Sequence, residues 1–285
     1  MTATDTRYVL SLSCPDGPGI VHAVSGALAS LDGNITESQQ FGDPDTGLFF
    51  MRVEVTSPAP RDQIEAAVVP LAARFGMDWK LDVAGRAMRT LVLVSKSAHC
   101  VNDLLFRERA RTLPIDIVAV AGNHATLAPL AAFYGKEFHH VPVTAETKPA
   151  AEARLLEARR RAWTWSSWSS LATCRSSPPS SRRPCAGAPS TFTTRSCRPS
   201  RAPAPTSRHT TVASRLIGAT AHYVTSDLDE GPIIEQEVER VDHTHTPESL
   251  TAVGADVERR ALARAVRWHA EHRVLLDGHR TIVFR

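Results

Sequence analysis

Two short apolar runs, Thr90–Val94 and Ile115–Ala121, limit what this chain can fold into. Each is the length of a strand and rich in β-branched or other apolar residues, and Leu104 and Leu105 mark a helix between them. Buried strands alternating with helices form an open, mostly parallel, Rossmann-like sheet, so the class expected is α/β. Ligands of such sheets bind beyond the carboxyl ends of the strands. Ser95, His99, Asn123 and His124 fall at those ends.

The residues before this region form a module of their own. Tyr8–Ser13 alternates as a strand, and the turn Cys14-Pro-Asp-Gly-Pro-Gly19 follows. Ile20, Val21, Val24, Ala27, Leu28 and Leu31 then recur at helical spacing up to Gly33. Phe49–Val55 reads as a strand, Ile64, Val68, Leu71 and Phe75 as a second helix, and Trp79–Val83 as a last strand. Asn34–Phe41 supplies the strand needed to complete a ferredoxin-like arrangement. The expected division is 1–85 and 86–285, with Arg86–Arg89 as a short basic connection.

Composition excludes more than it identifies. A net charge of +3 over 285 residues is too small to imply a nucleic-acid partner. No apolar run approaches the roughly 20 residues that span a bilayer, so no membrane partner is expected. Five cysteines without a Cys-x-x-Cys pair, and no signal peptide, point to the reducing cytoplasm. His99 is next to Cys100, but sequence neighbours rarely present their side chains to one another, so no nucleophile pair is expected. Neither that pair nor His139-His140, His243 and His245 has a fourth ligand nearby, and no metal is expected.

The stretch Leu216–Gln236 carries the chemistry. Ile217, Gly218 and Ala219 suit a closely packed strand that continues through His222 and Tyr223. A polar loop, Thr225–Glu230, holds three acids, and Gly231-Pro232 bends the chain into the strand opened by Ile233-Ile234. Composition allows two readings of that loop, a solvated acidic turn and a carboxylate poised as a general base.

The longer pattern His-Tyr-Val, then Asp229, then Gly-Pro-Ile-Ile resembles the catalytic loop of the formyltetrahydrofolate-dependent formyltransferase fold, and most of all the formyltetrahydrofolate deformylases. Ser-Lys-x-x-His-Cys at 95–100 and Gly-Asn-His at 122–124 match that family as well. The resemblance implies hydrolysis of 10-formyltetrahydrofolate to formate and tetrahydrofolate, supplying purine synthesis and balancing one-carbon pools, with no cofactor. It implies Asp229 as the catalytic acid–base, with His222, Thr225, Asp227 and Glu230 against the folate. Cys-Pro-Asp-Gly-Pro-Gly-Ile-Val followed by Asp-Gly-Asn-Ile resembles an ACT domain, a small-molecule-sensing module. That implies a homo-oligomer formed through this module and an amino-acid effector near Asp16, Gly17 and Gly19. A turn that needs its glycines for backbone reasons alone has the same residues.

From Ala158 to Ser226 there is no Asp, Glu or Lys, and hydrophobic periodicity is lost until Leu216. Taken at face value this is a basic, disordered insert of the kind that binds RNA. A shift of reading frame over about residues 158–214 accounts for more. Taking the last base of each codon with the first two of the next permits Ile-Asn-Phe-His-His at 190–194 and Ala-Arg-Tyr-Met-Gln-Val-Leu-Ser at 171–178. Both resemble deformylase motifs, in order. On this alignment Thr191 and Thr193 occupy the places of the family's Asn and His, which polarise the formyl oxygen. Arg and Ser interrupt nearly every apolar pair of the tract, so it is not expected to supply a central strand. Two other functions are consistent with these features: formyl transfer to an amine, and a catalytically dead ACT-type sensor.

Overall fold

The computed structural model describes residues 5–142, 170–174, 191–197, 215–224 and 231–285. The chain divides into two compact units, Met1–Arg86 together with Trp268–Arg285, and Ala87–Arg267. The closing segment therefore belongs to the first unit, whereas the sequence reading runs the second domain to residue 285.

The first unit runs β1 (Thr6–Pro15), α1 (Ile20–Ala29), β2 (Asn34–Asp43), β3 (Leu48–Ser57), α2 (Arg61–Phe75) and β4 (Asp78–Val83). Its sheet has the order β2-β3-β1-β4, with antiparallel neighbours. Leu10 and Leu12 of β1 and Met51, Val53 and Val55 of β3 point to one face, where α1 adds Ile20, Val24 and Leu28 and α2 adds Ile64 and Val68. A period-2 face against two 3.6-period stripes is what the apolar spacing dictates.

The opposite face explains why the closing segment docks here. Val9, Phe50 and Arg52 point that way, and all are buried. Arg52 is 1% exposed and would be a stranded charge without partners. Its guanidinium donates to Glu37 Oε2 at 3.1 Å, to Glu54 Oε1 at 2.5 Å and to the Glu271 carbonyl at 3.0 and 3.1 Å. Arg273 adds bonds to both carboxylate oxygens of Glu37, at 2.9 and 3.1 Å. Burial raises the Glu37 pKa, and the bonds from Arg273 and Arg52 outweigh it and hold the carboxyl below the usual range. Arg280 bridges Asp43 at 2.7 Å and Asp277 at 3.1 Å.

The second unit holds β5 (Met88–Val94), α3 (His99–Arg109), β6 (Ile115–Gly122), α4 (Ala128–Phe133), β7 (Glu137–His140), β8 (Ser170–Cys174), β9 (Thr191–Cys197), β10 (Leu216–Tyr223) and β11 (Ile233–Arg240). α5 (Pro247–Ala270) follows, and its last turn leads to β12 (Val274–Asp277) and β13 (Arg280–Val283) in the first unit. The seven-stranded sheet has the order β11-β10-β9-β8-β5-β6-β7. The strands from β9 to β7 are parallel, and β10 and β11 are added antiparallel. Among the described residues no helix is long and apolar enough to cross a membrane.

One expectation is overturned here. β8 and β9 come from the Arg- and Ser-rich tract, yet they stand between β5 and β10. Ladder bonds are made by the backbone, and any segment free of proline can form them. Ser-Leu-Ala-Thr-Cys and Thr-Phe-Thr-Thr-Arg-Ser-Cys contain no proline and include Thr173, Thr191, Phe192, Thr193 and Thr194, residue types that favour strands. The tract's prolines lie outside both strands.

Candidate active site

A single register row crosses the second unit's sheet. His222 stands opposite Thr193, Thr193 beside Thr173, Thr173 beside Leu93, Leu93 beside Ala121, and Ala121 beside His139. On β8, β5, β6 and β7 this row lies one residue before the carboxyl end of the strand. The sheet thus brings His222 and position 193 to the edge where open α/β sheets bind ligands. Position 191 is paired with Leu171, two residues deeper.

His222 is 3% exposed. Its Nδ1 lies 2.8 Å from the Tyr223 carbonyl oxygen, and a carbonyl only accepts, so Nδ1 carries the proton. In the neutral ring that leaves the lone pair on Nε2, which is buried and has no hydrogen-bond partner among the described residues. The Asn123 Oδ1, just past the end of β6, is likewise buried with no partner among the described residues. Both atoms are acceptors at the carboxyl edge of the sheet, and leaving a buried acceptor unpaired costs about 1–3 kcal/mol.

Thr225, Asp227, Asp229 and Glu230 lie outside the described residues. The two ends of their loop are described. The Tyr223 N–H donates to the Pro232 carbonyl at 2.9 Å, and Gly231 packs against the Tyr223 carbonyl and the His222 ring. Burial pushes the Tyr223 phenol above its ordinary value, so it stays neutral.

His99, at the start of α3, meets a residue that sequence spacing did not bring forward. Its Nε2 is 2.8 Å from Glu258 Oε2 on α5, 159 positions away. Donor atoms of His99, Cys100 and Glu258 all lie within 4.8 Å of one another. Glu258 sits among Val257, Arg259 and Arg260 on a long helix, and its sequence context carries no signal of this role.

In the first unit, Asp16, Gly17 and Gly19 form the exposed turn before α1. The Asp16 N–H donates to the Gly47 carbonyl at 2.8 Å. Gly19 has φ +88°, a left-handed conformation that suits glycine.

Residues 8–72 match the ACT domain family, and residues 204–266 match the formyl transferase family. The chain is 42% identical to the formyltetrahydrofolate deformylase of Corynebacterium sp. (strain P-1), over 98% of each protein. It is 36% identical to the Bacillus subtilis formyltetrahydrofolate deformylase, over 96% of this chain and 93% of the relative. The solved formyltetrahydrofolate deformylase of Burkholderia mallei superposes with a TM-score of 0.87 at 39% identity, covering 98% of this chain and all of that one. Glycinamide ribonucleotide transformylase 1 of Symbiobacterium toebii, at 23% identity and a TM-score of 0.58 over 72% of this chain, shares the fold.

Proposed function

This chain belongs to the formyltetrahydrofolate deformylase family, and from that premise we propose that it hydrolyses 10-formyltetrahydrofolate to formate and tetrahydrofolate. Water is the nucleophile. Its oxygen bonds to the formyl carbon, the carbon–N10 bond breaks, and N10 leaves with a proton as formate departs. Asp229 takes the water's proton and returns one to N10. His222 lends the lone pair on Nε2 to the hydrogen-bond network at the strand ends, with its ring fixed by the Tyr223 carbonyl. Thr225, Asp227 and Glu230 line the folate. The reaction needs no cofactor, and the setting is cytoplasmic. The ACT domain makes a homo-oligomer and takes a small amino acid at Asp16, Gly17 and Gly19.

The observation that carries the reading is the register of His222 opposite position 193 at the carboxyl edge of the parallel strands. The reading-frame shift is part of the same proposal. Its support is that β8 and β9 fall where the shifted frame spells the two deformylase motifs. With Thr191 and Thr193 in place of Asn and His, oxyanion stabilisation is weakened, and one lost donor costs roughly 10²–10³ in rate.

Formate release from 10-formyltetrahydrofolate is to be measured with and without an amine acceptor, for this chain and for a frame-restored one. The expected result is acceptor-independent formate from the restored chain, and a rate at least about 10²-fold lower from this one. In the restored chain, Asp229→Asn is expected to lower turnover roughly 10²–10⁴-fold with folate affinity kept. Acceptor-dependent formyl transfer would mean a transferase, and no reaction from the restored chain would mean a sensor.

A further inference from the structure

We propose that His99, Cys100 and Glu258 form a binding site for one divalent transition-metal ion of the zinc class. Among the described residues this is the one grouping of His, Cys, Asp and Glu whose donor atoms converge in this way. The set offers an imidazole nitrogen, a thiol sulfur and a carboxylate oxygen. Nitrogen, sulfur and oxygen donors together suit zinc, whereas a thiolate is a poor ligand for magnesium or calcium.

The geometry permits it with small movements. Nitrogen and oxygen ligands about 2.0–2.1 Å from a tetrahedral ion stand about 3.3 Å apart. The His99 Nε2 and Glu258 Oε2 are now 2.8 Å apart, so an ion entering between them parts them by roughly half an ångström. Both side chains are partly exposed, at 27% and 21%, so an ion reaches them from solvent. Cys100 is 1% exposed, so its sulfur forms the closed floor of the site and the partly exposed pair its mouth.

Charge and scaffold agree. Binding releases the thiol proton, and the resulting thiolate with the Glu258 carboxylate cancels the two positive charges of the ion. The donors stand on two helices, α3 and α5, not on loops. Those helices are tied together by Arg259 to Asp103 at 3.8 Å, and Arg267 of α5 holds the segment just after α3 through the Thr112 carbonyl at 2.7 Å. Among the described residues three ligands are supplied, and the fourth position of a tetrahedral ion is then taken by water or an anionic ligand. The site stands apart from the deformylase reading, since metal binding is measured without turnover.

The test uses the full chain, stripped with a chelator and titrated with Co²⁺ as a spectroscopic probe, then with Zn²⁺ as competitor. The expected result is one Co²⁺ per chain, with a thiolate-to-cobalt charge-transfer band that Zn²⁺ abolishes. Cys100→Ser is expected to lose that band, and Glu258→Gln to weaken binding at least about tenfold. Glu258 is partly exposed, so its variant folds and decides the matter if Cys100→Ser does not fold. No band from the parent chain, or parent-like cobalt affinity in Glu258→Gln, overturns the site.

Discussion

Gly231 lies so close to the main chain of Tyr223 that an ideal Cβ on it would stand 1.7 Å from the Tyr223 carbonyl oxygen and 3.1 Å from the His222 Nδ1. The obstruction is backbone, and the Tyr223–Pro232 hydrogen bond at 2.9 Å prevents it from yielding. Gly231→Ala is therefore expected to cost more than the roughly 1–3 kcal/mol of ordinary overpacking, and to displace the His222 ring. Gly26→Ala is the control, because nothing lies within 4 Å of its added Cβ in the middle of α1. That substitution is expected to stabilise by about 0.5–1 kcal/mol. Urea denaturation of both variants checks the contrast.

Arg52 is the keystone of the first unit's second face. Arg52→Met removes the cation and leaves Glu37 and Glu54, 28% and 17% exposed, with fewer partners. Breaking a fully buried pair from one side costs about 3–5 kcal/mol, and with both carboxylates partly open to water and Glu37 still held by Arg273 the expected loss is about 1–3 kcal/mol. Chemical denaturation measures the loss. A matching sign is faster proteolysis in Trp268–Arg285, whose Glu271 carbonyl loses its donor.

A fragment of residues 1–86 contains every strand of the four-stranded sheet and all the residues of its main apolar core. It is expected to fold, and to be less stable than the same fragment linked to residues 268–285. The difference comes from Arg52, Glu37 and Asp43, whose partners Glu271, Arg273 and Arg280 lie in that segment. Dispersed amide NMR spectra and melting temperatures of the two fragments test this. Equal melting temperatures would deny the closing segment any stabilising role.

Acid weakens the first unit through His269. Burial, then the charges of His272 and Lys80, hold its imidazole down to about 3 from an ordinary 6.5. Below about 6.5 the unfolded chain takes up a proton that the folded one refuses. Stability is full above that pH and falls as pH drops towards about 3, by at most about 1.4 kcal/mol per unit. His269→Gln is expected to flatten the fall between about pH 6.5 and 4. Denaturation midpoints across that range, parent against variant, provide the measurement.

The first unit was legible because its signals are local. Ile20, Val24 and Leu28 announce α1, and the alternation around Leu10 and Leu12 announces β1, within a few residues each. Val9 and Arg52 are harder to read, since they face the side of the sheet whose cover, at Glu271, lies over 200 residues further along the chain. The partnership of His99 with Glu258 was illegible for the same reason, being created only when α3 and α5 pack. β8 and β9 are not legible in the apolar pattern, because the ladder that places them is made of peptide groups. The acid loop was legible as a motif at both ends, in His222 and in Gly231, and Gly231 proves to be fixed by a close backbone approach.

The first unit is interrupted in sequence by the second, with about 180 residues between Arg86 and Trp268. A ribosome adding about 5–20 residues per second needs roughly 10–40 s to cross that interval. During that time the four-stranded sheet can form, but Arg52 waits for Glu271, and Asp43 for Arg280. The nascent chain therefore carries a half-covered, charged sheet face until Trp268–Arg285 arrives. That interval is when a chaperone or another nascent copy has access to a surface the finished protein has closed.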